Sequence, residues 1–166
     1  MRIVVMRHGI AIDRDHPDCP PDADRPLTDE GRQRTLRAVR GLKRLNVRPD
    51  RVISSPWLRA IETAEICADV LGLDPEDLGR RDELLPGTDP RMLVDHLRGL
   101  DTECSVVVGH APHVDRLIGS LLGVDDRTMS SLKKSGAASI VLPTASSDAW
   151  LEWLATPKML RRLGRT

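Results

Sequence analysis

The chain has 166 residues, 25 Lys and Arg against 25 Asp and Glu, and a formal net charge of +0, with 40% hydrophobic and 30% charged residues. That length fits one domain spanning 1–166, and the apolar content excludes a disordered chain. Zero net charge leaves no global field to pull the protein onto nucleic acid or an anionic membrane, so any anion binding is local.

Residues 2–6, Arg-Ile-Val-Val-Met, form a short β-branched run ending in Arg-His-Gly, as a buried strand delivering a loop would. The apolar part is far too short for a signal-peptide core or a membrane span, which predicts a cytoplasmic protein. The odd number of cysteines, Cys19, Cys67 and Cys104, with no C-x-x-C or zinc-like spacing, points the same way, to reduced packing thiols. From Gly9 to Pro26 the chain holds four Pro and five Asp and reads as an irregular surface excursion.

Thr28, followed by Asp29 and Glu30, is an N-cap with acids in the first turn, and predicts a helix to about Leu45. Leu36, Val39, Leu42 and Leu45 are expected to face the core while Arg32, Arg34, Arg37 and Arg40 stay wet, with Gly41 a weak point. Residues 51–54 form a second strand, after which Pro56 opens a helix to about Leu71 that carries Arg59 in its first turn. A helix over 90–99 repeats Met92, Leu93, His96 and Leu97 at helical steps. Residues 106–108 form a strand that runs into Gly109 and His110, and Pro112 opens a helix to about Leu122.

The last third changes character: 137–142 and 149–154 read as strands that pair as a hairpin through the Pro-Thr-Ala-Ser-Ser-Asp turn. Arg161, Arg162 and Arg165 read as a solvated positive tail. Without Phe or Tyr, the core must be filled by Leu, Val, Ile and Ala, with Trp57, Trp150 and Trp153 the only large rings. Strands alternating with helices imply an α/β protein, a three-layer α/β/α sandwich with a mostly parallel sheet and the late strands at or near an edge.

Three strand ends carry chemistry: Arg7-His8 after the first, Arg59 after the second, His110 after the third. In an open parallel sheet such ends gather at one rim, where ligands bind. Guanidinium forks match phosphate oxygens, and the helix N-termini that follow add N–H donors, so phosphate is the natural guest. A neutral imidazole oriented through one ring nitrogen attacks phosphorus with the other; Arg7, Arg59 and His110 can supply the charge stabilisation without a metal or other cofactor. The spacing alone leaves open which histidine attacks. His110, His113 and nearby Asp115 do not present three facing ligands, so no metal site is expected. Arg25 can contact a phosphorylated partner or pair with Asp22 or Asp24, the pair being the preferred reading.

Met6-Arg7-His8-Gly9 after a short strand resembles the signature of the histidine phosphatase superfamily, the phosphoglycerate-mutase-like family. Further segments agree in order: Arg25-Pro26-Leu27-Thr28 with Gly31; Ser55-Pro56 with Arg59, Ala60 and Thr63; Glu83-Leu84 with Pro86; and residues 107–110 with Pro112. Within that superfamily the short chain and the Lys134-Ser135-Gly136-Ala137 segment are similar to the SixA-type phosphohistidine phosphatases. The resemblance implies that His8 is phosphorylated, that Arg7, Arg59 and His110 bind the phosphoryl group, and that the Ala111 N–H assists. It puts Glu83 where many relatives hold a proton-donating carboxylate, with neighbouring Asp82 and a purely solvated loop as the other readings.

The expected activity is hydrolysis of phosphohistidine on a protein by a monomer, through a phospho-His8 intermediate and with no cofactor. A phosphatase of small phosphomonoesters or sugar phosphates using His8 is the first alternative, and a catalytically idle phosphate-binding or docking domain the second.

Overall fold

Side-chain alternation along β1 (Arg2–Arg7) divides the interior in two: Val4 and Met6 enter one hydrophobic cluster, Ile3 and Val5 the other. β4 (Cys104–Gly109) repeats the division, with Val106 and Val108 in the first cluster and Val107 in the second. These belong to a computed structural model that describes residues 1–124, 128–143 and 148–165. β2 (Arg51–Ser54), β3 (Leu78–Arg80), β5 (Ala137–Val141) and β6 (Trp150–Ala155) complete a six-stranded sheet of order β3-β2-β4-β1-β5-β6. The first four of that order run parallel, and β5 and β6 are antiparallel additions on the β1 side.

The first cluster is covered by α1 (Asp29–Arg44), α2 (Leu58–Leu71) and α5 (Pro157–Leu163), through residues such as Val39, Leu42, Ala64 and Leu160. The second is covered by α3 (Arg91–Arg98) and α4 (His113–Leu121), through Leu93, Leu97, Leu117 and Leu121. This is the expected α/β/α sandwich, with β6 at one edge. Between its parallel partners, β4 is buried along its whole length, which is why it reads as an unbroken apolar run. The turn expected between the late strands falls on residues 144–147, outside the described residues. Among the described residues no helix is long and apolar enough to cross a membrane.

Several local expectations are corrected. Thr28 caps α1, its hydroxyl accepting from the Gly31 N–H at 2.9 Å, but the buried stripe is Gly31, Thr35, Ala38, Val39 and Leu42; Leu36 and Leu45 are only half-buried. Steps of four and three track the 3.6-residue turn, whereas steps of three alone drift off the face. Pro56 does not open α2: the preceding Ser55 N–H is still bonded to the Val108 carbonyl at 3.0 Å, the chain bends at Pro56 and Trp57, and Trp57 is the N-cap. Pro112 is likewise the cap of α4 rather than its first residue. In α3 it is Leu93 and Leu97 that are buried, while Met92 is 61% exposed.

Two elements went unforeseen. β3 is three residues with a central glycine, too short for a periodicity signal. α5 replaces the expected tail: Thr156 caps it, accepting from the Met159 N–H at 3.3 Å, Pro157 begins it, and Leu160 is buried. Arg161 and Arg162 lie in its last turn, where cations suit the dipole.

Gly41 is a point of close approach between α1 and α5: a Cβ built there would lie 2.1 Å from the Leu160 carbonyl oxygen. The expected weak point is thus a packing contact. Helix propensity alone would make Gly41→Ala stabilising by about 1 kcal/mol. The clash is with backbone, costs about 1–3 kcal/mol or more and prevails, so the variant is destabilised by up to about 2 kcal/mol net. The measurement is the midpoint of urea unfolding at unchanged slope; a midpoint at or above the parent's would contradict the packing.

Candidate active site

The register of the parallel strands brings the chemistry together. Arg7 pairs with Gly109 and Ser54 with Val108, so His8, Ser55 and His110 leave the sheet side by side at one rim. The His8 N–H donates to the Gly109 carbonyl at 3.0 Å, and the Ser135 N–H donates to the carbonyls of Arg7 and His8 at 3.0 and 3.2 Å, clamping the backbone from both sides. Gly9 then passes between α1 and α2: its N–H donates to Thr63 Oγ1 at 3.0 Å, and a Cβ there would meet Thr35 Oγ1 at 2.3 Å. The Thr63 hydroxyl in turn donates to the Arg59 carbonyl at 2.7 Å, which ties the loop to the helix carrying the arginine.

These residues wall a cavity of about 510 Å³ that is lined by Arg7, His8, Arg25, Arg59, His110 and Ala111 of the expected set. Trp57, Pro86, Lys134, Arg14, Asp13, Asp15 and Ala11 complete the wall. Lys134 and Trp57 carried usable signals, the first in the segment before β5 and the second as a large ring one residue after Ser55-Pro56. Their place at the cavity depends on how distant segments fold together.

His8 is nearly buried, and its Nδ1 lies 2.7 Å from the Gly9 carbonyl oxygen. A carbonyl only accepts, so Nδ1 holds the proton and Nε2 the lone pair. Arg59 Nε donates to that Nε2 across a long 3.3 Å. Burial, with Arg59, Arg7 and Lys134 adding to it against the Gly9 bond, pushes the His8 pKa down to about 3, so the ring is neutral at ordinary pH.

His110 lies alongside, its ring centre 5.0 Å from those of both His8 and Trp57. Its Nε2 is 2.8 Å from Ser55 Oγ, while its buried Nδ1 has no hydrogen-bond partner. Burial, then the nearness of His8 and Arg59, pushes it down to about 2.

Each arginine is held by a carbonyl, which leaves charge to spare for an anion. Arg59 Nη1 donates to the Asp22 carbonyl at 2.5 Å, with the Asp22 carboxylate 3.8 Å from Nη2 and the guanidinium 4.6 Å from the centre of the Trp57 ring. Burial lowers its pKa to about 10, with Asp22 opposing, which keeps it charged. Arg7 Nη1 donates to the Leu132 carbonyl at 2.9 Å. The loop that carries Leu132 is positioned by buried Asp115, whose Oδ1 accepts from the Leu132 N–H at 2.8 Å and from Ser130 Oγ at 2.6 Å. Arg25 lines the cavity and also pairs with Asp22 at 2.7 Å, with its Nη1 donating to the Ile12 carbonyl at 2.6 Å.

Glu83 is not brought to this cavity. It lines a neighbouring hollow with Arg80, Arg81, Asp82, Leu85, Thr88 and Met92. The single turn Asp82–Leu84 sends Leu84 into the core and so leaves Glu83 on the other side, and Pro86 is the residue of that segment that reaches the His8 cavity. His113 belongs elsewhere too, its Nε2 3.0 Å from Thr88 Oγ1.

Residues 3–88 match the model of the histidine phosphatase superfamily, branch 1. The chain is 32% identical over 174 aligned positions to an uncharacterized protein of Picosynechococcus, covering 96% of this chain and 99% of the relative. It is 31% identical over 164 positions to the phosphohistidine phosphatase SixA of Escherichia coli, covering 97% of each. Among solved structures, the protein histidine phosphatase SixA complexed with tungstate superposes with a TM-score of 0.84 at 30% identity, over 96% of this chain and 99% of that one.

The buried imidazoles also set a pH dependence. In the unfolded chain they take up protons below the ordinary value of about 6.5. In the folded chain His8 and His110 do so only near 3 and 2. Their contribution to stability is therefore whole above 6.5 and is lost as the pH falls toward 3, by at most about 1.4 kcal/mol per pH unit for each ring. Urea unfolding from about pH 7 to about pH 5.5, above the range in which most carboxylates titrate, reads the slope. His110→Gln should flatten it, and an unchanged slope would count against a buried neutral His110.

Proposed function

We propose, from the premise that the chain belongs to the histidine phosphatase superfamily, that it hydrolyses phosphohistidine on a protein through a phospho-His8 intermediate. The observation that carries this is the orientation of His8: Nδ1 bound to the Gly9 carbonyl and Nε2 free of a proton in a cavity walled by Arg7, Arg59 and Lys134. SixA, similar to this chain over nearly its whole length, is by name a phosphohistidine phosphatase.

In the first step His8 Nε2 attacks phosphorus in line, the N–P bond to His8 forms, and the bond to the leaving nitrogen breaks as that imidazole takes a proton. Arg7, Arg59 and Lys134 meet the charge on the equatorial oxygens, the long contact from Arg59 to His8 being exchanged for one to phosphate. An anion in the cavity favours the charged form of His110, so the ring becomes a second donor to the phosphoryl group. In the second step water attacks phosphorus, inorganic phosphate leaves, and His8 returns neutral. Arg25 and the Ala111 N–H border the same space and are assigned to substrate binding.

A leaving imidazole has an ordinary pKa of about 6.5 and is readily protonated near neutral pH, so the demand on a protein acid is small. This suits a site in which Glu83 lines a different hollow. The cysteines are free, and burial raises the thiols of Cys67 and Cys104 to about 12 and about 11, which fits inert thiols of a cytoplasmic protein.

His8→Ala should abolish both turnover and the acid-labile label left on the protein by a phosphohistidine substrate. Arg59→Ala should keep the label but slow its formation about 10²–10³-fold, and His110→Ala should slow it less. Single-turnover kinetics with a phosphohistidine protein and with a small phosphomonoester check the reading. Full activity in the His8 variant overturns the covalent step, and a faster reaction with the ester overturns the substrate.

A further inference from the structure

A second hollow of about 390 Å³ adjoins the catalytic cavity and shares Arg7 and Lys134 in its wall. The rest of its charge comes from three elements distant in sequence: Arg34 on α1, Lys133 in the segment before β5, and Arg161 on α5. No carboxylate lines it. In a chain whose formal net charge is +0, five cations around one hollow without an acid are a local concentration, not a reflection of composition. Arg34 has Glu30 as an ion-pair partner one helical turn earlier, and Glu30 is itself 63% exposed and outside the wall; Lys133 is exposed, and neither it nor Arg161 is in a salt bridge among the described residues.

The hollow does not repeat the catalytic cavity. It contains no histidine, and its one side-chain hydroxyl, that of Ser135, is buried and hydrogen-bonded to Thr35 Oγ1 at 2.9 Å. Its position matters because Arg7 and Lys134 stand in both walls, so the hollow lies directly beside the space in front of His8. A small phosphate ester has little to reach beyond the first cavity, whereas a polypeptide has side chains on either side of its phosphorylated residue.

We propose that this basic hollow receives the acidic side chains of the substrate protein that flank its phosphorylated residue. The inference rests on the phosphoprotein reading given above and adds the sign of charge the partner carries next to its phosphoryl group. Exposed ion pairs of this kind are individually weak and are screened by salt, so their combined effect falls on encounter and orientation rather than on the chemical step. The expected signature is a change in KM with kcat unaltered.

The experiment uses synthetic peptides with one phosphohistidine flanked by glutamates, twins with glutamine in place of glutamate, and the same two sequences with phosphoserine. They are compared on the parent chain and on the Lys133→Glu/Arg161→Glu variant, neither residue being part of the catalytic cavity. The glutamate peptide should have a KM about tenfold below its twin on the parent, the gap closing in the variant and at about 0.5 M salt. Turnover of a small phosphomonoester should be the same in both proteins, which also shows that the variant is folded.

Binding of the four peptides to His8→Ala protein, by fluorescence anisotropy, reads the same preference without turnover. Equal KM and equal affinity for glutamate and glutamine twins would overturn the proposal. Turnover of phosphoserine but not phosphohistidine peptides would instead overturn the substrate reading, with the glutamate-glutamine comparison still deciding the hollow.

Discussion

A histidine that attacks phosphorus must stay neutral in the midst of the cations that attract its substrate. The bond from His8 Nδ1 to the Gly9 carbonyl, at 2.7 Å, meets this requirement by assigning the ring's proton to the side away from Arg59. Burial does the rest, making a second proton costly. The Gly9 carbonyl can only serve if the turn after β1 is fixed, and it is fixed by Gly109 on one flank, Ser135 on another and Thr63 beneath. Sheet register, helix placement and the state of one imidazole are therefore a single chain of cause.

That chain explains what could be read in advance. Arg7, His8, Arg59 and His110 were legible because each stands within a few residues of a strand end, and parallel strands deliver their ends to one rim. The layer order was legible from β-branched runs alternating with capped helices. Glu83 was not, since a single turn decides which of three consecutive residues enters the core, and Leu84 takes that place. α5 was hidden by its arginines, although Thr156-Pro157 is a cap signal and Leu160 the one residue that needed burying. Gly41 looked like a flaw in α1 until the helix it touches was in place.

The charge distribution also gains meaning from the fold. Asp22, on the excursion after β1, accepts from Arg14 at 3.1 Å and from Arg25 at 2.7 Å, and its carbonyl holds Arg59. One short acidic loop thus keeps three guanidinium groups near each other when no anion is bound. Asp115 does the corresponding work for Arg7 from the opposite side, through the peptide of Leu132. Asp22 and Asp115 hold the positive charges in place from outside the cavity, while Asp13 and Asp15 stand in its wall.

β1 lies at the heart of the sheet, yet its neighbours come from far downstream: Arg2 faces Cys104 on one side and Val141 on the other. As the polypeptide leaves the ribosome, β1 is made before either of its partners and waits for both until the long stretch between them has followed. Ile3, Val4, Val5 and Met6 spend that interval with their apolar surface uncovered, and pairing over such separations is slow. The order of synthesis leaves the bonds from the Ser135 N–H to the Arg7 and His8 carbonyls unmade until the segment before β5 has been added, so that the geometry at His8 and the central sheet are completed together.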